Sequence, residues 1–467
     1  MGIDLTNLRT AFFAMEEAED LFSLQAEDGT FYWDIVRFSV FVGLQCAYGG
    51  PFNNPVAMKK ASLLSKSKNA IKMFLNRTTR DYLAGQKPDY IFYTVQRTRI
   101  GSQLVDTVSD PLFDLVSENS IAIEAMNKES ISFLDILMGR QTRVPSVFVY
   151  DPPAKGRLNK MAGEISARLA RHFDRPVDIE NLIWEPIAVY KQYKEHFLAV
   201  FARHKPKAVI VVNNGPLKGL FSAAKDMDVP TLELQHGASS IDSPFWSYPN
   251  TILSSHPGLT LPTAYLTFSD YWKSITHFPV RQTHSIGNDY LYQSPVRNSA
   301  DSVAIISAYM YQDDLARLAV DLAESLPARI VYFKLHPHQF ARKAAIAEQF
   351  KHRSNIVVLS DGMSLSDLFM ECTFVVGVHS TVLYSALQAR KKVMIYKKAN
   401  YFFLHDIFEF VELFDNASEA ESIIRTHEVR FKNLNQAPVF FVPLDSTAFM
   451  KALEAVRASA TTNSPAL

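Results

Sequence analysis

The sequence predicts an α/β protein built on two parallel, doubly wound sheets. Three observations predict it. Apolar runs of four or five residues alternate with helix-length segments through the second half of the chain, as expected for strands covered on both faces by crossover helices. The same rhythm, with longer insertions, occupies residues 88–290. The third is length: 467 residues exceed what a single core usually supports, so two domains are expected.

Composition narrows the class. The 48 basic and 48 acidic residues cancel, which removes any global argument for a nucleic-acid partner. Cys46 and Cys372 are too few for a disulfide framework or a cysteine zinc site, and are expected to pack as small apolar residues in a reducing compartment. Residues 1–7 hold an Asp and no basic stretch, so no secretory signal is expected. Residues 35–48 form the most apolar N-terminal segment, but Arg37 and Gln45 interrupt it and it is too short to span a bilayer. A soluble, cytoplasmic protein is expected.

The elements follow in order. Residues 5–28 read as one helix, with Leu8, Phe12, Phe13, Leu21 and Phe22 on its apolar face. Residues 32–42 read as a strand or short helix, and residues 58–83 as a basic helix. Strands are expected at residues 89–93, 146–150, 208–212, 231–234 and 265–268, with helices at 182–204 and 217–227. Residues 289–301, with Pro295 and Asn298, read as a linker. Beyond it, strands at 303–306, 330–333, 356–359, 374–376 and 393–396 alternate with helices at 313–326, 339–350 and 382–390. A last helix, 446–457, is free to pack back on the first domain, and the tail from Ala458 is expected to be disordered. The division is therefore 1–294, 295–445 and 446–467.

The polar clusters sit at strand ends, where open α/β sheets bind ligands. Lys334-Leu335-His336-Pro337 and Gly377-Val378-His379-Ser380-Thr381 each follow an apolar run. Cations, hydroxyls, a glycine and the start of a helix together suit phosphate oxygens, and point to a nucleotide or sugar-nucleotide site. Ser307 ends the first strand of the second domain and is placed to donate to the same group. In the first half, Glu233-Leu234-Gln235-His236-Gly237 ends a strand. His236 is suited to take a proton from a hydroxyl, and Gly237 lets the backbone pass close to a sugar. Trp33-Asp34-Ile35-Val36-Arg37-Phe38 sets rings beside charges, as a sugar-acceptor site would. Asp34 and Arg37 would pair if the segment is helical, and a buried structural ion pair is an equal reading. Asn213-Asn214-Gly215 lines the cleft or makes an ordinary turn. Asp361-Gly362 and Ser364 follow a strand where base or ribose contacts fall. Glu27-Asp28-Gly29 reads as a helix-ending turn. No ligand spacing of the zinc type occurs, and no metal or other cofactor is expected.

Two such domains with a returning last helix make the arrangement named GT-B. The Lys334–Pro337 stretch resembles the His-Pro motif of bacterial GT-B sugar transferases, particularly those using CMP-linked donors such as sialyl- and Kdo-transferases. Gly377-Val378-His379-Ser380-Thr381 resembles their Ser motif. The resemblance implies that Lys334, His336, Pro337, Gly377, His379, Ser380 and Thr381, with Ser307, bind the donor. Gln235-His236-Gly237 resembles the Gln-His-Gly element of surface-polysaccharide transferases and the Trp-His-Gly element of CDP-glycerol glycerophosphotransferases, which implies that His236 is the general base. Ile286-Gly287-Asn288 resembles the Gly-Asn-Pro-Tyr turn of such enzymes, with Asp289 in place of the Pro. The acid-acid-Gly motif of sialyltransferases has its match only in Glu27-Asp28-Gly29, ahead of the first core strand, a departure from that family.

The expected function is metal-independent transfer of a sugar from a nucleotide donor, CMP-linked Kdo or sialic acid favoured, to a hydroxyl of a capsule or lipopolysaccharide acceptor. Asp34, Arg37, Asn214 and Gly237 are the expected acceptor contacts. A UDP-sugar hexosyltransferase, a CDP-glycerol-type transferase, a sugar-nucleotide 2-epimerase and a non-catalytic glycan- or nucleotide-binding component of a capsule assembly complex stay open. A lipid-linked acceptor implies contact with the cytoplasmic face of the inner membrane. Lys59, Lys60, Lys66, Lys68 and Lys72 would assist that contact or form a solvated helix face.

Overall fold

Val, Ile and Phe dominate the short runs that become strands, and their branched or planar side chains fill a surface buried on both sides. The computed structural model describes residues 3–5, 7–50, 87–94, 98–100, 103–125, 143–146, 158–212, 217–239, 241, 243–252, 256–296, 300–360, 362–399, 401–427, 431 and 433–462. Its strands are β1 (Tyr90–Thr94), β2 (Thr98–Ile100), β3 (Gln103–Val105), β4 (Ser120–Ala125), β5 (Arg143–Ser146), β6 (Ala208–Val212), β7 (Thr231–Leu234), β8 (Ala264–Thr267) and β9 (Gln282–Ser285). The second half adds β10 (Val303–Ile306), β11 (Val331–Lys334), β12 (Ile356–Leu359), β13 (Phe374–Gly377), β14 (Lys392–Tyr396) and β15 (Glu412–Phe414).

Two parallel sheets result. The first runs β5-β4-β1-β6-β7-β8-β9 and the second β12-β11-β10-β13-β14-β15. Counted within each half, both read 3-2-1-4-5-6, the doubly wound Rossmann order, and the first carries one strand more. Each reverses direction beside its own first strand, between β1 and β6 and between β10 and β13, where a crevice opens at the C-terminal strand ends. This is the GT-B fold: two Rossmann-like domains facing a central cleft.

Helices Ile179–His204 and Lys218–Asp226 cover one face of the first sheet through Phe197, Phe201, Leu220 and Phe221. The other face takes the last helix, Ser446–Thr462, whose Phe449, Ala452, Leu453 and Val456 pack with Phe92, Leu112 and Leu232. A third cluster joins the halves: Phe268 and Trp272 meet Tyr384, Phe440 and Phe441.

Several expectations change. The helix expected at 5–28 is Leu8–Ala18 only. The chain turns at Asp20, in the left-handed region, so that Leu21 and Phe22 fold back into the core of Leu8 and Phe12. Residues 32–42 belong to a helix, Trp33–Ala47, buried on most sides and therefore without a polar stripe to mark its period. Residues 339–350 split into a 3-10 turn, Pro337–Arg342, and a short helix, Lys343–Glu348. The last helix continues to Thr462, through residues expected to be disordered. The basic helix at 58–83 with its lysines, residues 147–150, Asn213-Asn214-Gly215 and Asp361 lie outside the described residues.

Candidate functional site

The C-terminal ends of strands from both sheets converge on one cavity of about 340 Å3. From the first sheet come Val212 at the end of β6, His236 after β7, and Tyr290 and Leu291 after β9. From the second come His336, Pro337 and His338 after β11, and Thr381 at the start of the helix after β13. The loop following β3 adds Asp106 and Thr107. His236, His336, Pro337 and Thr381, all singled out in the sequence, therefore line one space, although they come from opposite halves of the chain.

His336 is exposed and caps the 3-10 turn Pro337–Arg342. Its Nδ1 accepts the His338 backbone N–H at 3.3 Å, while its own N–H donates to Gln339 Oε1 at 2.8 Å. Acceptance at Nδ1 assigns the neutral ring's proton to Nε2. Buried Gln339 extends the brace by donating to Gln312 Oε1 at 3.1 Å. A rigid loop thus presents an imidazole N–H donor.

His379 sits deeper. Its Nδ1 is sealed from solvent and has no hydrogen-bond partner among the described residues, and the ring meets Tyr311 edge-on with 5.8 Å between centres. Burial, with the nearby charge of His336 second, pushes its pKa down to about 4, so it is neutral at pH 7. Ser307, 3% exposed, follows β10 at the switch point, and its Oγ is likewise buried without a partner among the described residues. Two unsatisfied polar atoms at the ends of adjacent strands are costly in a closed core and are expected where a ligand completes the set.

Other donor candidates carry structural work. Lys334 Nζ donates to the carbonyls of Ser360 and Met363 (3.2 Å for the latter), which ties down the loop after β12 instead of facing the cavity. Ser364 caps helix Leu365–Glu371 by accepting the Asp367 N–H at 3.0 Å, so it is no free ribose contact. Ser380 caps helix Thr381–Gln388, its Oγ accepting the Val382 N–H at 3.3 Å. A Cβ at Gly377 would lie 3.1 Å from Leu383 Cδ2; the glycine there serves strand–helix packing.

On the first sheet, Gln235 fixes the loop that carries His236. Its Nε2 donates to Gly237 O at 2.9 Å, and its Oε1 accepts the Phe268 N–H at 2.8 Å. A Cβ at Gly237 would meet Thr381 Oγ1 at 3.4 Å, so the glycine faces the opposite half. The His236 ring packs on Trp246, 5.5 Å between centres.

Asp34 and Arg37 are corrected: neither faces the cavity, and they do not pair with each other. Arg37 makes a two-pronged ion pair with Glu16, Nε to Oε1 and Nη2 to Oε2 both 2.7 Å. Asp34 is held by Lys218 Nζ at 2.8 Å, the Tyr248 hydroxyl at 2.7 Å and the Thr260 N–H at 2.7 Å. Both are buried with their groups engaged, which is the structural ion-pair reading with other partners. Glu27-Asp28-Gly29 is a surface turn, with Gly29 at positive φ and Asp28 paired to Lys191 at 3.0 Å.

The sequence missed Asp106, Thr107, Tyr290, His338 and Trp246. His338 immediately follows a motif already singled out, and Tyr290 comes just after the Gly287-Asn288 turn. Asp106 follows a hairpin of three-residue strands, too short for any period to show; its Oδ1 accepts the N–H groups of Val108 and Ser109. Among the described residues, no group of three or more His, Cys, Asp or Glu is placed to hold a metal ion. Asp226-Met227-Asp228, an Asp-x-Asp sequence, precedes β7 at the opposite end of the strands from His236, and Asp226 pairs with Lys194 at 2.8 Å. No described helix is long and apolar enough to cross a membrane.

No family model and no curated protein matches the sequence. Solved structures do. Acinetobacter baumannii MurG aligns over 79% of this chain and 100% of its own, at 10% identity and a TM-score of 0.46. S. aureus MnaA with UDP aligns over 81% and 99%, at 11% identity and a TM-score of 0.47. The glycosyltransferase VinC in complex with dTDP aligns over 79% and 99%, at 15% identity and a TM-score of 0.42.

Proposed function

We propose that the chain is a glycosyltransferase that moves a sugar from a nucleotide donor to an acceptor hydroxyl. One observation carries the reading: His236 from the first sheet lines the same cavity as His336 and Thr381 from the second. Such a site separates the two tasks of the reaction. His236 takes the acceptor proton, and the freed oxygen attacks the anomeric carbon. The bond from that carbon to the phosphate oxygen breaks, and its electron pair leaves on the nucleotide. The Nε2–H of His336, the Thr381 hydroxyl and the start of helix Thr381–Gln388 bear the charge that develops there. The reaction is proposed to be metal-independent. A CMP-linked acid remains the donor favoured by the His-Pro and Ser motifs, and a surface polysaccharide the favoured acceptor.

The test is calorimetric titration with CMP, CDP, UDP, GDP and dTDP, followed by turnover assays with sugar conjugates of whichever binds. His336→Ala is expected to weaken nucleotide binding and turnover together, and His236→Ala to abolish turnover while leaving nucleotide affinity in place. Unchanged nucleotide binding in His336→Ala would remove that residue from the donor site. Donor consumption that survives His236→Ala would refute its role as base.

A further inference from the structure

Helix Thr381–Gln388 starts at the cavity and ends at the crossing between the two sheets. Thr381, Ser385 and Gln388 are spaced i, i+4 and i+7, which puts them on one stripe. All three bond to backbone outside the helix. The Ala238 N–H donates to Thr381 Oγ1 at 3.0 Å. Ser385 Oγ donates to Leu291 O at 3.0 Å. Gln388 Nε2 donates to Phe441 O at 2.9 Å and Gln293 O at 3.3 Å, and its Oε1 accepts the Phe441 N–H at 2.8 Å. Leu291 and Gln293 belong to the segment that leaves the first sheet, Phe441 to the one that returns to it, and Ala238 lies two residues after His236. One short helix therefore holds both crossings and the strand end that bears the base.

Thr381 is the member of this stripe that reaches the cavity. A threonine hydroxyl accepts with its lone pairs and donates its single hydrogen. Here one lone pair is used on Ala238, and among the described residues no acceptor takes the hydrogen. A hydroxyl that donates becomes a stronger acceptor, because linked hydrogen bonds polarise one another. We propose that Thr381 is a positioning residue that ties phosphate occupancy of the cavity to the placement of His236, an inference that rests on the nucleotide reading above. A phosphate oxygen accepts the Thr381 hydrogen, the bond to the Ala238 N–H tightens, and the Gln235-His236-Gly237 loop is drawn against the donor. The base is then aligned only when there is a donor to attack.

Hydrogen exchange at the Ala238 amide reads this bond directly. Thr381→Val keeps the shape and removes the hydroxyl, Thr381→Ser keeps the hydroxyl, and Thr381→Ala serves if valine fails to pack. The probe is whichever of CMP, CDP, UDP, GDP and dTDP binds by calorimetry. In the wild type and in Thr381→Ser, that nucleotide is expected to slow Ala238 exchange by about tenfold or more, and in Thr381→Val the slowing is lost while affinity falls by no more than about tenfold. Nucleotide-induced protection that persists in Thr381→Val overturns the proposal and leaves the nucleotide site standing. Failure of every nucleotide to bind overturns the nucleotide reading, and the proposal with it.

Discussion

The indole of Trp246 lies 5.5 Å from the imidazole of His236, ring centre to ring centre, while its Nε1 points to Glu233 Oε1 at 3.4 Å. The two rings share one packing surface, so His236→Leu at constant pH is expected to shift Trp246 emission, and Trp246→Phe should remove that shift. Emission unchanged by His236→Leu would show that the two rings do not meet.

Trp246 owes its place to Arg37. That guanidinium donates to the carbonyls of Pro244 and Ser247, either side of the indole, and its charge is balanced by buried Glu16. Burial alone would favour a neutral Arg37, and the Glu16 carboxylate holds it protonated. Removing one partner strands the other charge, so Arg37→Met is expected to cost about 3–5 kcal/mol in urea unfolding. The Arg37→Met, Glu16→Gln double variant should cost clearly less than the sum of the singles, because the second change deletes the stranded group. Simple additivity would mean that the pair is not coupled.

Gly287 and Gly29 separate a steric clash from backbone strain. Both have positive φ, 78° and 79°. A Cβ at Gly287 would lie 2.1 Å from Pro443 O, where the chain returns towards the last helix, whereas nothing lies within 4 Å of one at Gly29. Gly29→Ala should therefore cost only the left-handed penalty, roughly 1–2 kcal/mol. Gly287→Ala should cost several times more or prevent folding, because backbone must move. Equal losses in thermal unfolding would show that the return segment yields easily.

Much of this architecture is written in local pattern. β6, β10 and β13 are apolar runs bounded by polar turns, and such runs have few other places to go. Of the strands that escaped detection, β2, β3, β9 and β15 are three or four residues long, with β9 the polar Gln282–Ser285 on a sheet edge, while the six-residue β4, Ser120–Ala125, has its apolar run interrupted by serine, alanine and glutamate. The site was legible where chemistry sits at a strand end, as at His236 and His336. It was illegible where a residue's partner is distant in sequence. Arg37 looked like a partner for Asp34 three residues away, yet its carboxylate is Glu16 in another helix, and Lys218 reaches Asp34 across 184 positions. Local spacing shows which groups are near along a helix, and only packing decides which way each one turns.

His379 gives the fold a defined acid limit. The unfolded chain takes up this proton near the ordinary value of 6.5, and the folded chain only near pH 4, since burial and the His336 charge oppose it. Between those values the unfolded state binds more protons, so stability contributed by the neutral ring is complete above pH 6.5 and is lost as the pH falls towards 4. The loss should reach about 2–3 kcal/mol over that interval, and His379→Asn should remove that part of the pH dependence. Urea midpoints measured from neutral to acid pH on both proteins decide it: parallel curves would mean that His379 takes its proton in the folded state as readily as in the unfolded one. A bound phosphate should narrow the difference, because an anion beside Ser307 and His379 stabilises the charged ring and raises its folded pKa. Nucleotide affinity carried by this ring should therefore rise as the pH falls towards the folded value of about 4 in the wild type, and this rise should be absent from His379→Asn.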